Sequence, residues 1–372
     1  MVADPLKKLT ALGQSIWLDY IKRDLFINDK LSQLIAKYSL KGMTSNPSLF
    51  EKAISESSDY DQDIQKMARE GKDAEQIYAA LTVKDVQDAA DTFRSIYDKT
   101  HGEDGYVSLE VNPHLARDTQ GTIKEARQLW KALDRPNVFI KVPATKEGLP
   151  AITQLISDGI NVNITLLFGL ERYREVANAY LAGIKTRITQ GKSVKQIASV
   201  ASFFLSRIDV LIDPMLQTEI TNHSEMGNFA AQLVGEIAIA SARLASQISD
   251  DIFKSHSFKE MAAEGASIQR LLWASTGTKN PEYSDVKYVE ALIGPHTVNT
   301  LPLETIEAYA DHGDPAIRLN LYLDKSHFFF QTLSELGINI DQITQQLEDE
   351  GVDKFEKAYD QLLKSLQKKI QG

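Results

Sequence analysis

The sequence predicts an α/β fold, a (β/α)8 TIM barrel with extra helices after its second and sixth strands and a helical C-terminal tail. Three observations carry that expectation. Eight short runs rich in β-branched and aromatic residues alternate with longer stretches of helical spacing, the pattern of parallel strands joined by right-handed crossovers. No Gly-x-Gly-x-x-Gly follows any of the runs, which weakens the rival open doubly wound sheet. In several runs one face is wholly apolar and the other polar, as when one face packs on outer helices and the other lines an interior.

In chain order the strand-like runs are SIWLDY (15–20), GMTSNP (42–47), YVSLEVNP (106–113), NVFIKVP (137–143), INVNITLLF (160–168), ASVASFFLSRID (198–209), RLLWAST (270–276) and HTVNTLP (296–302). Asn-Pro, Pro or Gly punctuation ends most of them. IKEARQLWKAL (123–133) and LERYREVANAYLAGIKTRI (170–188) are examples of the helical stretches between. Residues 51–101 leave room for two or three helices, and residues 214–267 read as a helical insertion, suited to a lid, an oligomer contact or plain surface filling. Residues 315–372 read as a helical extension ending in the amphipathic FEKAYDQLLKSLQKKI. Without a sequence repeat or low-complexity linker, residues 1–372 are expected to form a single decorated domain.

Composition narrows the function. A formal net charge of −10 disfavours nucleic acid and anionic membranes as partners, since both need a basic face, but leaves room for phosphorylated metabolites held by a few local cations. The chain has no cysteine, so disulfides, thiolate nucleophiles and cysteine metal sites are excluded. The seven histidines are scattered, His312-Gly-Asp314 has the look of a turn, and no metal site is expected. The opening MVADPLKKLTALGQSIWLDY lacks the apolar core of a signal peptide and no run approaches a membrane span, so the expected location is cytoplasmic.

The polar rows are where chemistry is expected. Asn161, Asn163 and Thr165 share one face of their run, opposite Val162, Ile164 and Leu166; Ser108 and Glu110, Phe139 and Lys141, and Trp17 and Asp19 alternate in the same way. Most of these polar residues stand near the C-terminal ends of their strands, the end at which barrels of this kind build active sites. Lys141 is the sharpest case, a charge inside a run of Val, Phe and Ile. At pKa near 10.4 roughly one lysine in a few thousand carries a neutral amine at pH 7, and desolvation raises that share. Such an amine can attack a ketone to give an iminium, an electron sink for breaking an adjacent C–C bond. The alternative is a structural lysine paired with Glu110 or Asp19.

TSNPSLF, VSLEVNP, VFIKVPAT, INVNITLLF and SRID, in this order from about Asp19 to Pro302, resemble the transaldolase family, specifically its longer bacterial form. The resemblance implies a class I aldolase that moves a three-carbon dihydroxyacetone unit between sugar phosphates, with neither metal nor organic cofactor. It implies Lys141 as the Schiff-base lysine and Glu110 as an acid/base group working with a water and Thr165. By the same likeness Asp19 takes and returns the C4-hydroxyl proton, and Asn46, Asn163 and Ser202 contact the dihydroxyacetone unit. Arg207 matches a phosphate-binding arginine at the end of a strand. At the seventh strand this chain departs from the shorter members' Ala-Ser-x-Arg: in WASTGTKNP, Ser275 keeps the serine, no arginine follows two residues later, and Lys279 is left to supply the cation. The related fructose 6-phosphate aldolases are much shorter and lack a glutamate at the position of Glu110, which favours transfer over release. A non-catalytic barrel that binds a partner through its added helices is the remaining alternative. The sequence leaves a homo-oligomer open.

Overall fold

The computed structural model describes residues 4–222 and 226–371. The eight runs become β1 (Gln14–Asp19), β2 (Gly42–Thr44), β3 (Tyr106–Glu110), β4 (Val138–Pro143), β5 (Val162–Leu167), β6 (Ser199–Phe204), β7 (Arg270–Ala274) and β8 (Thr297–Leu301). Each pairs in parallel with the next, and β8 returns to β1, so the expected barrel closes. Closure removes every sheet edge, and the side chains then sort by alternation into an interior set and a helix-facing set.

Aromatic rings fill the N-terminal half of the interior. Phe139 stacks on Tyr106 with ring centres 4.3 Å apart and on Trp17 at 6.0 Å. Gly42 is the register partner of Trp17 and leaves the space that the indole occupies; a Cβ there would stand 2.7 Å from the ring and 2.8 Å from the carbonyl oxygen of Tyr106. At the bottom, Asp104 accepts from Ser15 Oγ, Trp17 Nε1 and Arg270 Nη1, which satisfies a group of buried polar atoms.

The extra helices fall where they were expected, with shifted edges. Three helices follow β2: Pro47–Ser55, Asp61–Arg69 and Ala74–Lys99. Among the described residues four follow β6: Ser206–Thr221, Gly227–Leu233, Ile237–Phe253 and His256–Ala263. The run 198–209 is therefore not all strand. It leaves the sheet at Phe204, and the helical insertion starts at Ser206 instead of 214. The helix begins behind Leu205 without any side-chain cap, so nothing polar marks the boundary. The alternation expected through Leu166 also breaks. An extra residue is accommodated between Ile164 and Leu167, and Leu166 takes a left-handed φ of 56°.

In the tail, residues 315–322 stay outside helices, then Leu323–Glu335 and the 32-residue helix Ile340–Gln371 complete the chain. At about 1.5 Å per residue that last helix is about 48 Å long, enough to cross the barrel mouth. It packs on Pro47–Ser55, Ala74–Lys99 and Ser206–Thr221 and touches β5. Arg172 Nε meets Glu348 at 3.2 Å in a largely buried pair, and Lys369 Nζ meets Asp61 at 2.6 Å near the far end. No described helix is long and apolar enough to cross a membrane.

Replacing Gly42 by alanine forces a methyl against the Trp17 ring and a backbone carbonyl. Overpacking of that kind costs roughly 1–3 kcal/mol. The G42A protein is expected to unfold at a lower urea concentration than the parent, with the transition read by tryptophan fluorescence.

Candidate active site

Parallel register puts the polar rows at matching heights. Glu110 on β3 is the partner of Lys141 on β4, and Lys141 is the partner of Asn163 on β5. Thr165 pairs with Pro143, two residues nearer the C-terminal mouth. All four polar side chains are buried, Lys141 with 4% and Glu110 with 6% of its surface exposed.

The Lys141 amine donates to the carbonyl of Ser45 at 3.0 Å and stands 3.3 Å from Oε2 of Glu110. The Glu110 contact is an ion pair by distance without hydrogen-bond alignment, and among the described residues nothing donates an aligned hydrogen bond to either Glu110 oxygen. Burial pushes the Glu110 carboxyl above its ordinary pKa, and the Lys141 charge pulls it part of the way back. Ser45 is itself fixed, its hydroxyl donating to the Ser108 carbonyl at 2.7 Å. The loop after β2 is thereby tied to β3 beneath the lysine.

Asp19 ends β1 and accepts from Thr44 Oγ1 at 2.7 Å. The Thr44 hydroxyl stands 2.6 Å from that of Thr300. Burial raises the Asp19 pKa; the Thr44 hydrogen bond and then the Lys141 charge oppose it. The site thus holds two carboxyls whose pKa burial raises and whose charge the Lys141 ammonium favours.

Eight of the ten residues singled out by sequence border one cavity of about 320 Å3 at this mouth: Asp19, Asn46, Lys141, Thr165, Ser202, Arg207, Ser275 and Lys279. Glu110 and Asn163 do not border it. Glu110 instead borders a separate cavity of about 420 Å3, with Tyr78, Asn112, Glu125 and Tyr359, and Asn163 is wholly buried, donating to Ser108 Oγ at 3.0 Å and accepting from Ser202 Oγ at 2.6 Å. Asn46 caps the helix Pro47–Ser55 through its side-chain oxygen, which leaves its amide nitrogen for the cavity. Thr165 Oγ1 is buried and has no hydrogen-bond partner among the described residues. The Ser275 hydroxyl is 2.9 Å from that of Ser206, and Ser275 has a left-handed φ of 54°.

Arg207 is not at a strand end, as the sequence suggested, but in the first turn of the helix Ser206–Thr221. That turn is anchored through the neighbouring Asp209, whose carboxylate accepts from Ala238 N and from Tyr288 Oη at 2.8 Å each. Burial lowers the Arg207 pKa. Sequence reasoning missed Thr44 and Thr300, which carry only ordinary strand signals, and two residues of the last helix, Lys354 and Phe355, which also border the cavity. A larger cavity of about 660 Å3 opens at the N-terminal ends of the strands, among Trp17, Tyr106, Phe139 and Arg270. Its lining also carries Lys195, His101, Asp98 and Glu103, but among the described residues no ion pair joins Lys195 to a carboxylate, whereas the buried Lys141 amine stands 3.3 Å from Glu110, so the smaller cavity is the better candidate on chemical grounds.

The chain matches the family described as Transaldolase/Fructose-6-phosphate aldolase over residues 16–366. It is 46% identical to a protein named Transaldolase from Trichodesmium erythraeum, over 100% of this chain and 98% of that one. A Transaldolase from Saccharopolyspora erythraea is also 46% identical, over 98% and 97% of the two chains, and one from Thiobacillus denitrificans is 43% identical over 96% and 98%.

Removing Lys141 leaves Glu110 buried without its cation, and breaking such a pair costs roughly 3–5 kcal/mol. A carboxyl with a raised folded pKa binds its proton more tightly in the native state, so stability falls as pH rises from its unfolded value through the folded one. Lys141→Met removes the charge that restrains this shift. The K141M protein is expected to lose more stability than the parent as pH rises above the ordinary glutamate range, measured by thermal unfolding, and E110Q in the same background to remove the excess.

Proposed function

Because this chain belongs to the transaldolase/fructose-6-phosphate aldolase family, we propose that it is a transaldolase working through a Schiff base on Lys141. The donor is sedoheptulose 7-phosphate and the acceptor glyceraldehyde 3-phosphate, giving erythrose 4-phosphate and fructose 6-phosphate in the non-oxidative pentose phosphate pathway. The observation that carries this reading is the buried Lys141 amine, bordering the mouth cavity with Glu110 3.3 Å from it.

The neutral amine of Lys141 adds to the C2 ketone of the donor, forming a C–N bond and a carbinolamine. Loss of its hydroxyl as water needs a proton. Glu110 is suited to give it through a water held by Thr165, because burial favours its protonated form and Thr165 Oγ1 has no competing partner. The resulting iminium is the electron sink. Asp19 takes the proton from the C4 hydroxyl, the C3–C4 bond breaks, and its electron pair enters C2–C3 to give an enamine while C4 leaves as the shortened aldehyde. The enamine carbon then attacks the acceptor aldehyde, and Asp19 returns its proton to the new hydroxyl. Water releases the product ketose and restores the amine.

Asn46 and Ser202 are placed in this reading against the dihydroxyacetone hydroxyls. Asn163 acts through the hydrogen bond it accepts from Ser202. Arg207 and Lys279, with Ser275, meet the phosphate. A free aldolase reaction, in which water takes the three-carbon unit, is the second activity named in the family description. The relatives named Transaldolase match along nearly their whole length and favour transfer.

Borohydride added with fructose 6-phosphate is expected to attach substrate carbon to the peptide bearing Lys141, and K141M to take up none. E110Q should slow transfer by about 10²–10⁴-fold, the usual worth of a general acid–base group. Dihydroxyacetone appearing without an acceptor aldehyde, at a rate equal to transfer, would favour the lyase instead.

A further inference from the structure

Lys354 was legible only as a surface charge, yet it borders the same cavity as Lys141 and Asp19. Three cations share the outer part of that cavity, each from a different element. Arg207 comes from the helix Ser206–Thr221, Lys279 from the segment between β7 and β8, and Lys354 from the helix Ile340–Gln371. Among the described residues none of the three has a carboxylate within 4.0 Å, although most other arginines near helices here are paired. The Arg207 charge, ahead of burial, holds Lys354 below the ordinary lysine range, and Lys279 adds to it. Like charges so close repel, and a dianion between them turns that repulsion into attraction.

The last helix is shaped to deliver this residue. Gly351, Lys354 and Phe355 stand at i, i+3 and i+4 on one face, and that face is the one toward the mouth. A Cβ on Gly351 would stand 2.9 Å from Leu166 Cδ2 and 3.7 Å from Arg207 Nη1, so the bare glycine lets the helix seat beside the arginine. Phe355 closes the wall, and the aliphatic stem of Lys354 can run along it while the ammonium stays at the rim. The seventh strand lacks an arginine two residues after Ser275, so a second fixed cation is wanted at this side of the cavity.

We infer that Lys354 is a phosphate-positioning residue: with Arg207 and Lys279 it holds the phosphomonoester dianion of the substrate, and it makes the C-terminal helix part of the substrate site. The identity of the phosphorylated ketose rests on the transaldolase reading; the anion class rests on the cations alone. A lysine supplies three donors on a flexible stem, so it can follow the phosphate of sugars of different length.

The test compares the parent, Lys354→Met and Lys354→Arg as full-length proteins. Inorganic phosphate is titrated into each, and kcat/KM is measured with fructose 6-phosphate. Reductive trapping by dihydroxyacetone, which carries no phosphate, is followed alongside. K354M is expected to weaken phosphate binding and lower kcat/KM for the phosphorylated ketose by about tenfold or more, while K354R restores most of both. Trapping by dihydroxyacetone should change less than twofold. The inference is overturned if K354M binds phosphate and uses fructose 6-phosphate within twofold of the parent, or if trapping by dihydroxyacetone falls in parallel, which would mark a structural role. A parent that is not trapped at Lys141 at all would sink the transaldolase reading, and the phosphate titration would still decide the role of Lys354.

Discussion

A lysine and a glutamate at the same height on neighbouring buried strands constrain everything around them. Glu110 and Lys141 are register partners and both are largely withdrawn from water, each bordering a different cavity. Taking two charges out of water is expensive unless each finds compensation. The lysine has a carbonyl at 3.0 Å and a carboxylate at 3.3 Å, and among the described residues the carboxylate accepts no aligned hydrogen bond. Its charge is balanced within the protein by the lysine, at a distance, and that proximity couples the protonation of the two groups.

The rest of the site is organised along an axis of charge. On the strand side are carboxyls whose pKa burial raises, Glu110 buried and Asp19 half-buried at the end of β1, with hydroxyls from Thr44, Thr165, Ser202 and Thr300 nearby. At the outer end are Arg207, Lys279 and Lys354. A ketose phosphate has the same polarity, with its carbonyl and hydroxyls at one end and a dianion at the other. Under the proposed Schiff-base reading this match orients the substrate before any covalent step, and orientation accounts for much of what a site contributes to rate. Lys279 and Lys354 are exposed while Lys141 and Glu110 are buried, so under that reading the heavier desolvation falls on the reacting end.

How much of this could be read from sequence depends on which physical rule wrote it. Asp19, Glu110, Lys141 and Thr165 were legible because alternation on a strand is strict and a polar residue in an apolar run is conspicuous. Alternation could not see the bulge at Leu166, since an inserted residue costs one register step and leaves no compositional mark. Nor could it see where β6 ends. ASVASFFLSRID is apolar through the boundary, and the helix at Ser206 starts without a cap, so Arg207 read as strand when it is helix. Thr44 and Thr300 matter through a hydroxyl contact between strands far apart in sequence, and no local pattern encodes that.

Lys354 was the hardest to see, and the reason is geometric. In GVDKFEKAYDQ a lysine is one charge among several on an amphipathic helix, where the ordinary expectation is a solvated face. What gives it a different meaning is the path of that helix over the mouth, fixed by the Arg172–Glu348 pair near one end and the Lys369–Asp61 pair near the other. Strand ends aim their side chains into the barrel, so they furnish the carboxyls and the amine but cannot easily place a cation above the opening. A loop can reach there, as Lys279 does, at the cost of mobility. A helix laid across the opening holds a cation there on a rigid support and narrows the entrance with Phe355 at the same time. The tail thereby supplies from above what eight inward-facing strands are poorly placed to supply from below.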